Sequence, residues 1–130
     1  MKLSQSSSIP IYIQITQNIK YDIVSGKLKP RDKLPSVREL SLALTINPNT
    51  VAKAYTELEH EKAIVGKPGQ GYFVTEEALS ISRMEKESQI SKLIEKAVVE
   101  ALRMGLKKHD ITKLAERKIE EILKQKHMNG

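Results

Sequence analysis

The chain contains no cysteine and no tryptophan, one phenylalanine and four tyrosines. Without cysteine there is no disulfide framework and no zinc ribbon, as suits a reducing cytoplasm. So few aromatic rings argue against a large aromatic-lined ligand pocket. No run approaches the ~18 apolar residues of a membrane span. The opening "MKLSQSSSIPIYIQI" has a lysine but no sustained apolar core of a signal peptide. Catalytic constellations are missing too. There is no cysteine nucleophile and no glycine-rich phosphate loop opening a helix. His60, His109 and His127 are scattered, without metal-ligand spacing. The expectation is a protein that is not an enzyme and carries no metal or cofactor.

What is abundant is positive charge. Among 130 residues, 22 Lys+Arg stand against 16 Asp+Glu, a net +6. The excess is uneven: residues 1–75 hold 10 basic and 6 acidic side chains, residues 76–130 hold 12 and 10. A basic first part favours an anionic partner, nucleic acid or an acidic membrane surface. The near-balanced, sign-alternating second part reads as solvated helix face and weighs against membrane binding.

Helix punctuation is dense in the first part. Pro10 fits a first helical position, and Ile15, Ile19 and Ile23 recur every four residues. Gly26 suits the position just past the helix end and Pro30 blocks continuation, giving a helix over about 10–25. Ser36 and Glu39 form a capping box before Val37, Leu40 and Leu44, a short helix over 36–44. "TINP" is a turn. Asn47 caps a third helix, 48–61, whose first position is Pro48, where a missing N–H costs nothing. Val51, Ala54, Tyr55 and Leu58 fall on its inner side; Asn49, Lys53 and Thr56 share the outer face. "AIV" and "YFV" are short β-prone runs around "GKPGQG", a flexible basic hairpin tip. Three helices and such a hairpin make a winged helix-turn-helix, with the third helix as reader.

"IPIYIQI", "SGKLKPRDKLPSVREL", "INPNTVAKAYTELE" and "GQGYFV", in this order and spacing, resemble the winged-helix domain of GntR-type bacterial transcription regulators. The "NPNTV" stretch and the short tail resemble the YtrA-type subfamily. The resemblance covers residues 9–75. It implies DNA contact by Arg38, whose planar fork matches guanine O6 and N7. It directs Asn49, Thr50 and Lys53 to base edges or phosphate, and Ser36 and Asn47 to phosphate beside the helix starts they cap. In the wing, Lys67, Gly69, Gln70 and Gly71 would approach the minor groove. The chain departs from the family in three places: glycine is frequent where Arg31 stands and near Lys62 after the reader helix, and arginine where Ala52 stands. The last shifts weight onto Asn49, Thr50 and Lys53.

Residues 77–130 carry two further apolar stripes. Ile90, Leu93, Ile94, Ala97, Val98, Ala101 and Leu102 form one; Ile111, Leu114, Ala115, Ile119, Ile122 and Leu123 form the other; Gly105 lies between. They read as an antiparallel helical hairpin too small to cover faces this wide. A second copy is the simplest partner, through Ile90, Ile94, Ala97, Ala101, Leu114, Ile119 and Ile122, as the resemblance also implies. The fold class is therefore mainly α with a small β-hairpin wing: a winged helix-turn-helix over 1–76 and a two-helix dimerisation hairpin over 77–130. The expected function is a homodimeric repressor on an inverted-repeat DNA operator. The effector is unknown; one would have to bind between chains or along the helix pair. The main alternative is a winged helix that binds protein and not DNA. RNA is disfavoured because A-form grooves do not admit a reader helix easily.

Overall fold

The computed structural model describes residues 1–129. The first helix, α1, is Ile11–Val24, and it buries Ile15, Ile19 and Ile23, the residues of the four-residue repeat. Pro10 stands one position outside it. Its ψ of 145° is extended, and its carbonyl accepts the first helical bond, from the Gln14 N–H at 3.1 Å. The proline thus fixes the entry of the chain without joining the helix. The Gln14 side chain ties the preceding arm down: its amide donates to the carbonyls of Ser4 and Ile9, and its oxygen accepts from the Ser4 N–H. At the other end Gly26 takes φ +85°, as a left-handed position past a helix requires.

The second helix, α2, is Val37–Leu44, and the third, α3, is Pro48–His60. The capping box at α2 is complete. Ser36 Oγ accepts from the Glu39 N–H, and Glu39 Oε1 accepts from the Ser36 N–H, each at 3.0 Å. Thr45 ends α2 at φ +56°, and the Ile46 N–H reaches back to the Ser41 carbonyl. Asn47 caps α3 through its Oδ1 on the Asn49 N–H at 2.8 Å, with Pro48 at the first helical position. Val51, Ala54, Tyr55 and Leu58 are buried against α1 and α2. Tyr55 locks the pair: fully buried, it donates its hydroxyl to the Pro35 carbonyl at 2.6 Å, just ahead of α2.

The wing is an antiparallel hairpin of β1 (Ile64–Lys67) and β2 (Gly71–Val74), with Ile64 opposite Val74 and Lys67 opposite Gly71. Pro68 and Gly69, the latter at φ +73°, occupy the middle of the turn closed by the Gln70 N–H on the Lys67 carbonyl, the type II pattern. The hairpin is not alone. Residues 31–34 lie along the free edge of β2, with Lys33 bridged to Phe73. The Arg31 N–H donates to the Val74 carbonyl, the Val74 N–H to the Asp32 carbonyl and the Leu34 N–H to the Tyr72 carbonyl. The inner face of this sheet, Leu34, Ile64 and Val74 with Tyr72, closes the core; the Tyr72 ring meets Tyr55 edge-on at 5.0 Å.

The fourth helix, α4, is Ala78–Arg103, and the fifth, α5, is Lys108–Asn129. Gly105, at φ +90°, and Leu106 return N–H groups to the carbonyls of Leu102 and Ala101, which ends α4 in a Schellman motif. Two compact units result, Met1–Lys86 and a second from Glu87 on. They divide inside α4, ten residues beyond the boundary read at 76/77. The first turns of α4 belong to the winged unit because Ala78, Ser82 and Lys86 are buried there. The architecture is the expected one: mainly helical, with a winged helix-turn-helix followed by C-terminal helices.

Candidate nucleic-acid interface

The outer face of α3 is open. Asn49, Lys53 and Thr56 are exposed, while Thr50 is half-buried at its margin. Asn47 is exposed as well, with its side-chain oxygen occupied by the Asn49 N–H. Arg38 is exposed in the first turn of α2, beside the capping pair Ser36 and Glu39. So one helix start carries an arginine fork and the other a short polar face, and the two helices are joined by a turn of three residues, Thr45, Ile46 and Asn47. That is the arrangement a major groove admits.

Both lysines of the expected interface rest on aromatic rings. The Lys53 ammonium lies 4.2 Å from the centroid of Tyr12 in α1, and that of Lys67 lies 4.9 Å from the centroid of Phe73. Each remains exposed. An exposed cation–π contact contributes about 0.5–1 kcal/mol, enough to bias the side chain and little enough to release it. Gly69 and Gly71, at φ +73° and +115°, both need glycine for the backbone alone. Gln70 is exposed at the wing tip. Gly66 was not singled out by the sequence, yet it is closely held. A Cβ there would stand 3.1 Å from Glu59 Oε2 and 3.2 Å from the Tyr72 ring, and its N–H donates to that same carboxylate. Nothing in "VGKPG" distinguishes it from an ordinary turn glycine.

Behind the interface sits a charged anchor. Lys20 in α1 is only 4% exposed. Its ammonium meets Glu61, at the end of α3, at 2.7 Å and Glu85, in α4, at 2.8 Å. Burial by itself would lower this ammonium's pKa, but the hydrogen bonds and charges of the two carboxylates outweigh it and raise it. A raised lysine contributes stability present below about pH 10.5 and lost as pH rises through its folded value. Lys86, next to Glu85, is buried over the Tyr21 ring at 4.0 Å. There burial prevails and the pKa falls, opposed by Glu85 and reinforced by Lys20. Neither lysine belongs to the candidate interface; both fasten helices. Among the described residues no cluster of His, Asp and Glu could hold a metal, and no helix is long and apolar enough to cross a membrane.

The second unit leaves its apolar stripes open. From Glu87 on, no residue with a described side chain is buried, and only Val98, Ala101, Leu106 and Ile111 are half-buried. Ile90, Ile94, Leu114, Ile119 and Ile122 are exposed, Ile94 at 58% and Ile122 at 59%. Ala97 is exposed as well, with Ala101 half-buried beside it. An apolar groove between α4 and α5 is lined by Ile94, Ala97, Val98 and Ala101 on one side and Ile111, Leu114 and Ala115 on the other, with Lys118 at its margin.

Residues 11–74 match the family described as bacterial regulatory proteins, gntR family. The HTH-type transcriptional repressor YtrA of Bacillus subtilis (strain 168) is 40% identical over 106 residues, 82% of each chain. The crystal structure of a transcriptional regulator from Oenococcus oeni superposes with a TM-score of 0.77 at 34% identity, covering 92% of this chain and 98% of that one. The DNA-binding domain of AraR, solved in complex with operator ORR3, superposes with a TM-score of 0.51 at 28% identity over 58% of this chain and 90% of that one. These relatives are regulators and not enzymes, and the matched segment is the one that carries the capped α2, the α3 face and the wing. The chain belongs to the gntR family of bacterial regulatory proteins, and it is a DNA-binding transcription regulator of the winged helix-turn-helix type.

Proposed function

We propose that the protein is a cytoplasmic homodimeric repressor that holds an inverted-repeat operator and blocks polymerase sterically. The observation that carries this is the pairing of two open surfaces: a capped reader helix with an exposed polar face, and a helical tail whose apolar stripes are uncovered. Arg38 reads guanine; Asn49 and Thr50 meet base edges or phosphate; Lys53 leaves the Tyr12 ring for phosphate. Ser36 and Asn47 hold the two helix starts against the backbone, and Lys67, Gly69, Gln70 and Gly71 enter the minor groove. Ile90, Ile94, Ala97, Ala101, Leu114, Ile119 and Ile122 meet their counterparts in a second copy. The likeness to a repressor along most of both chains and to a domain solved on its operator supports this reading. An effector, of unknown identity, would lie along the α4–α5 groove or between copies.

Selection of genomic fragments identifies the operator, and gel shifts on operator and scrambled duplexes across a salt series test the contacts. Arg38→Ala is expected to cost about 1–3 kcal/mol on the operator and to relax preference at one base. Lys53→Ala is expected to weaken both duplexes about equally and to shallow the salt slope by about one unit. A protein-binding winged helix would select no fragment and show no such slope. Unchanged operator binding in both variants would show that the reading face lies elsewhere than on Arg38 and Lys53.

A further inference from the structure

The outer face of the wing sheet is built around strand β2. Lys33 is paired with Phe73, Val65 with Phe73 and Lys67 with Gly71. Directly opposed residues of an antiparallel sheet share a face, as do residues two apart. Lys33, Val65, Lys67, Gly71 and Phe73 therefore point the same way, opposite to the buried Leu34, Ile64 and Val74. The two lysines reach across β2 on crossed diagonals. The Lys67 ammonium lies over the Phe73 ring at 4.9 Å. The Lys33 stem lies over Gly71, where a Cβ would stand 3.0 Å from its Cε and 3.8 Å from its Nζ. A side chain at position 71 would push Lys33 away. Glycine is required there for φ, and its missing side chain also leaves this lysine its path.

We propose that Lys33 and Lys67 form a paired seat for one strand's phosphates, with Lys33 a DNA-contacting residue in its own right. The inference rests on the DNA-binding reading above and extends it to a residue that lies in neither the helix-turn-helix nor the hairpin. Three features choose a sugar–phosphate backbone as occupant. Both ammoniums stand over neighbouring positions of one strand, a linear array that suits a linear polyanion. The face is continuous with the wing tip, Pro68 to Gln70. Acidic side chains are kept to its edges: Glu76 is paired with Arg31 at 3.1 Å, Glu77 lies at that same far end, and Glu39, which feels Lys33, is held by the Ser36 N–H and hydroxyl. The seat reads no base; it adds affinity on any sequence and sets the height at which the wing enters the groove.

The experiment is a fluorescence-anisotropy titration of the full chain against operator and scrambled duplexes over a salt series, with Lys33→Ala, Lys33→Arg and Lys67→Ala. Lys33→Ala is expected to lose about fivefold affinity on both duplexes near 0.15 M salt and about one unit of salt slope, and Lys33→Arg to restore both. Wild-type protein that binds no duplex would remove the DNA reading on which the inference rests. Wild-type protein that binds, with Lys33→Ala unchanged in affinity and slope, overturns the seat and leaves that reading intact. A loss confined to the operator, or a loss with unchanged slope that arginine does not rescue, also overturns it, by marking a base contact or a structural role.

Discussion

Lys62 holds φ at +66° just past α3, and Arg31 at +71° in the turn that leads onto the edge of β2. Each takes the place that glycine fills most cheaply. After α3 the Lys62 and Ala63 N–H groups close back on the carbonyls of Glu59 and Leu58, a Schellman ending. Lys29, Pro30, Arg31 and Asp32 form a turn with proline and then positive φ, where type II geometry calls for glycine. A left-handed side-chain residue costs about 1–2 kcal/mol, and glycine gives back about 0.5–1 kcal/mol in chain entropy. Lys62→Gly is therefore expected to stabilise the protein by about 0.5–1 kcal/mol in a thermal melt. Arg31→Gly should gain slightly less, since it also gives up an exposed ion pair with Glu76. An unchanged or lowered midpoint for Lys62→Gly would show that the backbone there is not strained. The family resemblance marks glycine as common at Arg31 and near Lys62. From this chain's letters alone, arginine and lysine carry no left-handed signal, and Thr45 at φ +56° carries even less.

The capping box of α2 gives that helix a dependence on acid. Glu39 has its pKa lowered first by the Ser36 backbone N–H and then by the Ser36 hydroxyl. A lowered carboxylate contributes stability above its unfolded pKa, about 4.5, and loses it as pH falls through the folded value. The gap in melting temperature between wild type and Glu39→Gln is therefore expected to close as pH falls from neutral to about 3. A gap that persists in acid would mean that the carboxylate charge is not what holds the cap. The element was legible because its chemistry is local: serine, glutamate and a stripe at Val37, Leu40 and Leu44 lie within nine residues. The same holds for Asn47–Pro48 and for the proline–glycine turn of the wing. What could not be read is what depends on distant pairing. The segment 31–34 has no β signature, since its bridge to Phe73 is set by the free edge of β2. Nothing in the sequence marks Lys20 and Lys86 as buried, since burial of a helix lysine is decided by carboxylates and a ring arriving from elsewhere. The helix α4 begins at Ala78, well ahead of the apolar stripe that opens at Ile90, and its first turns are held by packing Ala78 and Ser82 into the winged unit.

For the whole molecule, the decisive quantity is the apolar surface from Ile90 to Leu123. Monomers ordinarily leave only a few hundred Å² of contiguous apolar surface in water. Ile94→Glu is expected to convert the protein to a monomer at micromolar concentration by sedimentation equilibrium while leaving the melting of the winged unit unchanged. Removing residues 88–130 should do the same, because the cut falls after Glu85 and Lys86 and spares the Lys20 anchor. Either change is expected to lower affinity for a full inverted repeat by orders of magnitude and leave half-site affinity as it was, since two readers are no longer linked. Wild-type protein that sediments as a monomer would refute the paired tail, and undiminished operator affinity after truncation would refute its role.

Tyr55 also has a spectroscopic consequence. The protein has no tryptophan, so its near-ultraviolet signal comes from tyrosine, with a small phenylalanine part. Tyr55 is the fully buried ring among them, seated edge-on to Tyr72, with its hydroxyl bound to the Pro35 carbonyl. Burial pushes its phenol well above the ordinary tyrosine range, with Glu39 and Tyr72 adding to the shift. In an alkaline titration its phenolate absorbance should therefore appear late, and only as α3 comes away from the segment before α2. The reader helix thus carries an intrinsic chromophore that reports whether it is docked, without any label.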